Sequence, residues 1–214
     1  THPYRWATIG LTPEHIEEAT AEEIRDFYQR FYHPSNAILS VSADIEAQEV
    51  FELAEKWFGD IEDKPYTIPA IAPEPAQTAA RRKEVERDVP ATTITIAFQM
   101  GERLSRDFFL GDMTSDLLAG GDSARLYERL IKRKRLFAST NAYISGDLDR
   151  GMFVFTGQLL PTTSEADAEA AIWEEIADLK AGNISEYEIE KVKNKFEANT
   201  LFGELNVMNK AMNM

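Results

Sequence analysis

The chain has no cysteine. That excludes a disulfide framework, a thiolate zinc site and a cysteine nucleophile, and it assigns no compartment. No run of about 18 apolar residues occurs, so no segment reads as a membrane-spanning helix. Histidine is scarce, with three in 214 residues. Positive charge is scarce too: 23 Lys and Arg against 37 Asp and Glu give a net charge of -14. A balance this acidic argues against a phosphate-backbone binder, whose affinity comes from neutralising cations, and against a surface that coats anionic membranes. The sequence starts Thr1-His2-Pro3, with no Met and no signal-peptide pattern. It stops at Asn213-Met214, within a stretch that reads as helix. The expectation is therefore a piece of a longer protein.

What is present is enough for a core. The 43% hydrophobic and 10% aromatic content suits one large domain or two small ones. Residues 11–33 read as helix, regular from the capping box Thr20-x-x-Glu23, with Ile24, Phe27, Tyr28 and Phe31 at helical spacing and Pro34 as the stop. Ala37–Ser42 reads as a short apolar strand. A helix follows, with Asp44 as its cap, Val50, Leu53, Ala54 and Trp57 on one face, and Gly59 at its end. Between residues 60 and 80, Pro65, Pro69, Pro73 and Pro75 among alanines indicate an extended linker.

Beyond the linker, Arg81–Val89 reads as a charged strand suited to a sheet edge, and Thr92–Phe98 as a cleanly alternating one. A helix near Arg106–Leu118 carries Phe109, Met113 and Leu117. The turn Gly120-Gly121-Asp122-Ser123 leads into a second helix with Leu126, Tyr127, Leu130 and Ile131. Strands at Leu136–Ser145 and Gly151–Leu160 flank the hairpin signal Gly146–Asp149. Ser164-x-x-Asp167 opens a further helix closed by Gly182-Asn183. The capping box Ser185-x-x-Glu188 opens a last one that continues to the end. The class is α+β: a mostly antiparallel sheet, with helices packed on one face. The helix faces at Leu126/Leu130 and Ile189/Phe196 are expected to cover it.

The residues show no active site. His2, His15 and His33 never pair at the i, i+3 or i+4 spacing that a helical zinc motif requires. His15 with Glu18 offers two ligands at most. The turn Gly120–Ser123 precedes a helix N-terminus, where phosphate binds well, but Asp122 sets a negative charge there and no phosphate-loop pattern follows. Lys132-Arg133-Lys134-Arg135 sits at a helix C-terminus, where the dipole favours cations. Asp147 and Asp149 are too few for a calcium loop. Ser123 and Ser139 have no histidine in a recognisable triad pattern, although a triad assembles in space rather than in sequence. The expected catalytic, cofactor-binding and metal-ligating residues in this chain are none.

Three strings, in order, resemble the pitrilysin/insulinase family of zinc metallopeptidases, especially its bacterial, mitochondrial-processing-peptidase-like members. They are HPYRWATIG (2–10), ATAEEIRDFYQRFYHPSNAILSVSADI (19–45) with LAEKWFGDI (53–61), and LLAGGDSARLYERLIKRKRLFAS (117–139). The resemblance implies half of a peptidase unit built from two similar domains. Residues 1–60 would be the C-terminal part of the first domain, 61–80 the Pro/Ala-rich linker, and 81–214 a second, non-catalytic domain truncated at its C-terminus. The family's inverted zinc motif H-x-x-E-H lies ahead of the His-Pro-Tyr segment. Zinc is thus expected in the full-length parent and not in this chain.

The implied function is the non-catalytic domain of a zinc-dependent metalloendopeptidase acting on peptides or unfolded segments. It would serve as a scaffold that helps close the substrate chamber. The implied partners are the N-terminal catalytic segment of the same protein, a family partner in a homo- or heterodimer, and peptide substrate; no nucleic acid and no membrane span are expected. Some members supply an Arg and a Tyr from this kind of domain; the matching positions here are Ile131 and Ala138. The alternative is a structural or assembly module sharing the peptidase fold without activity. A free-standing binding domain unrelated to peptidases is a third reading. One expectation about assembly follows: residues 11–58 dock, within the chain or in a neighbouring copy, where the second domain lacks its last helix–strand–helix.

Overall fold

The computed structural model describes residues 2–6, 9–63 and 70–214. It divides into two compact units: the first comprises residues 1–74 with 200–214, the second residues 75–199.

The first unit contains α1 (Glu14–Glu17), α2 (Ala21–Phe31) and α3 (Ala47–Phe58). The helix expected over 11–33 is two pieces, because Thr20 is extended and starts a new helix. Its hydroxyl accepts from the Glu23 N–H, and the Glu23 carboxylate accepts from the Thr20 N–H in return. Asp44 does not cap α3; the cap position is Glu46, whose side chain makes no capping bond. Gly59 ends α3 as expected. Ala37–Ser42 is neither helix nor strand and belongs to no sheet among the described residues. Apolar spacing makes a strand-like conformation; a strand also needs a hydrogen-bonded neighbour. The apolar stripes of α2 and α3 are present but uncovered, with Ile24, Phe27, Phe51 and Trp57 all exposed. Pro65 and Pro69 of the expected linker lie outside the described residues, and 70–80 contains neither helix nor strand.

The second unit is built on three antiparallel strands, β1 (Thr93–Glu102), β2 (Phe137–Ser145) and β3 (Arg150–Leu159), in the order β1-β3-β2. The two strands expected to form a hairpin do so, with Ala142 opposite Phe155 and Ile144 opposite Phe153. On the other side of β3, Ile96 lies opposite Phe155 and Ile94 opposite Gly157. With a side-chain period of two, this register puts Ile94, Ile96, Phe153, Phe155 and Ala142 on one face. Phe137 closes that face edge-on to Phe155, ring centroids 6.3 Å apart. Its ring leaves no room for a Cβ at Gly157, which would come within 2.6 Å of Phe137 Cε1.

Helices cover the face. α4 (Arg106–Ala119) contributes Leu118, and α5 (Glu165–Lys180) contributes Ala168, Ala171 and Ile172. Between α4 and β2 lies a π-helix, Tyr127–Arg133, in which Lys134 N–H donates to the Arg129 carbonyl five residues back. It adds Leu130, wholly buried, and the preceding Leu126. The expected cover from Leu126/Leu130 is therefore found, but not that from Ile189/Phe196. In α6 (Glu186–Gly203) the buried residue is Val192, while Ile189 and Phe196 stay exposed; α5 covers the core instead. The last helix stops at Gly203, and α7 (Val207–Met212) starts afresh with Asn206 as its cap.

Arg81–Val89 forms no strand: it runs exposed beside β1, and Arg82 is drawn to Glu169 of α5 at 2.6 Å.

Candidate functional site

The three histidines, the Gly120–Ser123 turn and the cations Lys132 and Lys134 each make local contacts. Among the described residues no three His, Asp or Glu side chains converge as a metal site. His15 Nδ1 accepts from the Leu11 N–H at 3.4 Å, which folds the start of α1 back on itself. His2 Nδ1 accepts from the Tyr4 N–H at 3.3 Å, and the two rings meet edge to face. His33, buried before Pro34, places Nδ1 2.9 Å from Ser35 Oγ and 3.6 Å from Asp63 Oδ1. Asp63 also accepts from the Ser35 N–H, and these Ser35 bonds hold its carboxyl below the usual carboxylate range. Serine and carboxylate thus share one ring nitrogen. A nucleophilic triad places them on opposite nitrogens, so this group clamps the turn after α2. The chain's histidines do not fit a zinc ion.

The turn Gly120–Ser123 is held by cations. Lys195 Nζ lies 2.7 Å from Asp116 Oδ1 and 3.1 Å from the Gly120 carbonyl, and Lys191 Nζ donates to the Ser123 carbonyl at 2.7 Å. These ammonium groups serve the negative end of α4; the anion-cradle reading has no support. The cluster 132–135 is partly spent as well. Lys132 pairs with Glu128 and lies over the Tyr127 ring, and Lys134 pairs with Glu174. Arg135 turns the chain into β2 with φ at +53°.

The densest polar group is one that sequence reading missed. Arg125, its side chain 1% exposed, donates to both Glu188 oxygens at 2.9 and 3.0 Å, to the Asn183 carbonyl at 2.7 Å and to Asp178 at 3.3 Å. Arg129 joins Asp178 at 2.6 Å and Glu175 at 2.9 Å. The hydrogen bonds from Arg129 and then Asn183 hold Asp178 below the usual carboxylate range. Burial pushes Glu188 up, but the Ser185 N–H and hydroxyl and Arg125 more than offset it, and the net direction is down. At Glu175 burial wins over Arg129 and the carboxyl is pushed up. The network ties the segment after the Gly-Gly turn to α5 and the start of α6. Its only sequence trace is an arginine between Ala124 and Leu126, with capping-box acids about sixty positions on.

At the two positions that matter for the resemblance, Ile131 packs against the core cluster and Ala138 is exposed on β2.

Residues 18–196 match the model of the family described as Peptidase M16 inactive domain. The chain belongs to that family. The zinc protease PqqE of Helicobacter pylori is 30% identical to this M16 inactive-domain chain over 196 residues, covering 90% of the chain and 44% of PqqE. A crystal structure of a protease from Helicobacter pylori superposes with a TM-score of 0.90 at 28% identity, over 98% of this chain and 51% of that one. The peptidase M16 inactive domain from Pseudomonas fluorescens shares the fold, with a TM-score of 0.81 at 20% identity over 98% and 51% of the two chains. The chain spans about half the length of the relatives it matches.

Proposed function

We propose that this M16 inactive-domain chain is the non-catalytic half of a zinc-dependent metalloendopeptidase, and that it acts as a scaffold closing the chamber in which a peptide or unfolded segment is held. Residues 1–60 are the end of the first peptidase domain, 61–80 the linker and 81–214 the second domain. Zinc is bound by the parent outside these residues; the three histidines here are engaged in turns and do not fit it. The partners are the N-terminal catalytic segment of the same protein and a family member in a homo- or heterodimer.

The observation that carries this reading is Ile131. Where some family members have an Arg directed at substrate, this chain has a side chain packed against the core cluster, and the companion position is Ala138. The same observation favours the second reading, a structural module in an assembly without activity.

Equilibrium dialysis with zinc and a fluorogenic peptide assay test the proposal. The chain alone is expected to take up no stoichiometric zinc and to cleave nothing. Added to a catalytic segment bearing H-x-x-E-H, it is expected to raise peptide cleavage. Zinc uptake or chelator-sensitive hydrolysis by the pure chain overturns it. A catalytic segment indifferent to the chain selects the assembly reading.

A further inference from the structure

Two arginines meet three carboxylates inside the second unit: Arg125 and Arg129 against Glu175, Asp178 and Glu188. With every group ionised, this join carries one negative charge in excess. Glu175 is the fully buried carboxylate of the three, 4% exposed, and it lies 2.9 Å from Arg129 Nη1. The same nitrogen lies 2.6 Å from Asp178 Oδ2. Two carboxylates thus compete for one guanidinium nitrogen. Where like charges share a cation, the more buried one keeps its proton longer. The directions agree: burial pushes Glu175 up, and hydrogen bonds from Arg129 and Asn183 hold Asp178 down. The further charges acting on Glu175 are Arg125 and Lys134. Lys134 is held by Glu174, and Arg125 is held by Glu188, which also accepts from the Ser185 N–H and hydroxyl.

Arg129 also belongs to the π-helix, and it serves that helix twice. Its side chain crosses to α5, while its carbonyl accepts from the Lys134 N–H at 3.0 Å. The next carbonyl, Leu130, accepts from the Leu136 N–H at 3.0 Å. Seven residues in π geometry, Tyr127–Arg133, are a long run of a rare conformation. The exit is strained as well, since Arg135 has φ at +53°. Such an element depends on what its side chains reach, and the charged anchor in its middle is Arg129. Ile131 lies in the same π-helix.

We propose that Glu175 is a proton-operated latch on the π-helix. With its proton on, charges balance in pairs, Arg125 with Glu188 and Arg129 with Asp178, and the π-helix is held against α5. With its proton off, Glu175 draws Arg129 from Asp178. The join then holds an uncompensated charge away from water, and the last turn of the π-helix opens more often. The sign follows from the raised value of Glu175: the hold is complete below the ordinary glutamate range and is lost as pH rises through the folded value. The groups involved contact one another within the second unit, and the latch does not depend on the peptidase reading.

The test uses the 214-residue chain. A carboxyl carbon NMR titration should place the Glu175 midpoint above the ordinary glutamate value of about 4.3. Hydrogen exchange at Lys134 and Leu136, corrected for its intrinsic pH dependence, should follow that midpoint. Their protection is expected to fall about tenfold between about pH 5 and about pH 8, while the Phe155 amide in β3 stays unchanged. Glu175→Gln imitates the protonated state and should keep the protection at both pH values. Asp178→Asn leaves Arg129 to Glu175 alone and should lower the Glu175 midpoint. A Glu175 midpoint at or below the ordinary value overturns the proposal, as does protection that ignores that midpoint. So does a Glu175→Gln chain with the original pH dependence, or an Asp178→Asn chain with an unmoved midpoint. The titration and the exchange of the unaltered chain decide the matter even where a variant fails to fold.

Discussion

Gly157 and Arg135 show opposite answers to whether the backbone tolerates a side chain. At Gly157 the Phe137 ring occupies the space a Cβ would fill, and Phe137 is itself buried against Phe155. Gly157→Ala forces ring or strand to shift, and overpacking of this kind costs about 1–3 kcal/mol; a lowered urea midpoint checks it. Arg135 is the reverse case. Its φ of +53° lies in the left-handed region, which costs a side-chain-bearing residue about 1–2 kcal/mol and glycine almost nothing. Since Arg135 has no ion pair among the described residues, Arg135→Gly is expected to stabilise the chain by about 1 kcal/mol in the same measurement. Neither position was legible in the sequence. Gly157 sits in a run that reads as ordinary strand, and Arg135 reads as one of four consecutive cations.

Among elements, the join between the π-helix, α5 and α6 is ionic, and Arg125 is its centre. Arg125→Ala leaves the Asn183 carbonyl without its Arg125 donor and Glu188 with only the Ser185 N–H and hydroxyl. Removing one partner of a buried pair is costly; because Glu188 and Asp178 keep some contact with water, the expected loss is about 2–4 kcal/mol. Arg125→Lys keeps the charge but loses the two-oxygen grip on Glu188, so hydrogen exchange should rise in residues 183–190 for both variants. Elements with their own start and stop signals were readable: the capping boxes at Thr20 and Ser185, and the β2–β3 hairpin, appear where spacing placed them. Elements that depend on a distant neighbour were not. Ala37–Ser42 and Arg81–Val89 have strand chemistry but no ladder, and the choice of α5 over Ile189 and Phe196 as cover is settled by tertiary packing alone.

For the molecule as a whole, the carboxylates of this network set an acid response. Asp178 and Glu188 have folded values below their ordinary ones, so the stability they supply is complete above the usual carboxylate range and is lost as pH falls through those lowered values. Glu175 is raised and has the opposite sign: its contribution is present below its ordinary value and is lost as pH rises through the folded one. Two against one, the melting temperature should fall on acidification below about pH 4. Asp178→Asn should flatten that fall, as calorimetry across pH would show. The class of the fold was legible from alternation and capping. The Arg125 network was not legible, because a group assembled from separate elements leaves no local spacing to read.

The strand order β1-β3-β2 also has a temporal consequence. The central strand is the last of the three to leave the ribosome. β1 must wait while α4, the π-helix and β2 emerge, and only then can it find β3. The β2–β3 hairpin closes over a four-residue turn and is the cheap first contact; recruitment of β1 requires closing a far longer loop and is the slow one. Folding-rate measurements on conservative truncations should therefore find Ala142 and Val154 ordered in the transition state, and Ile94 ordered after it.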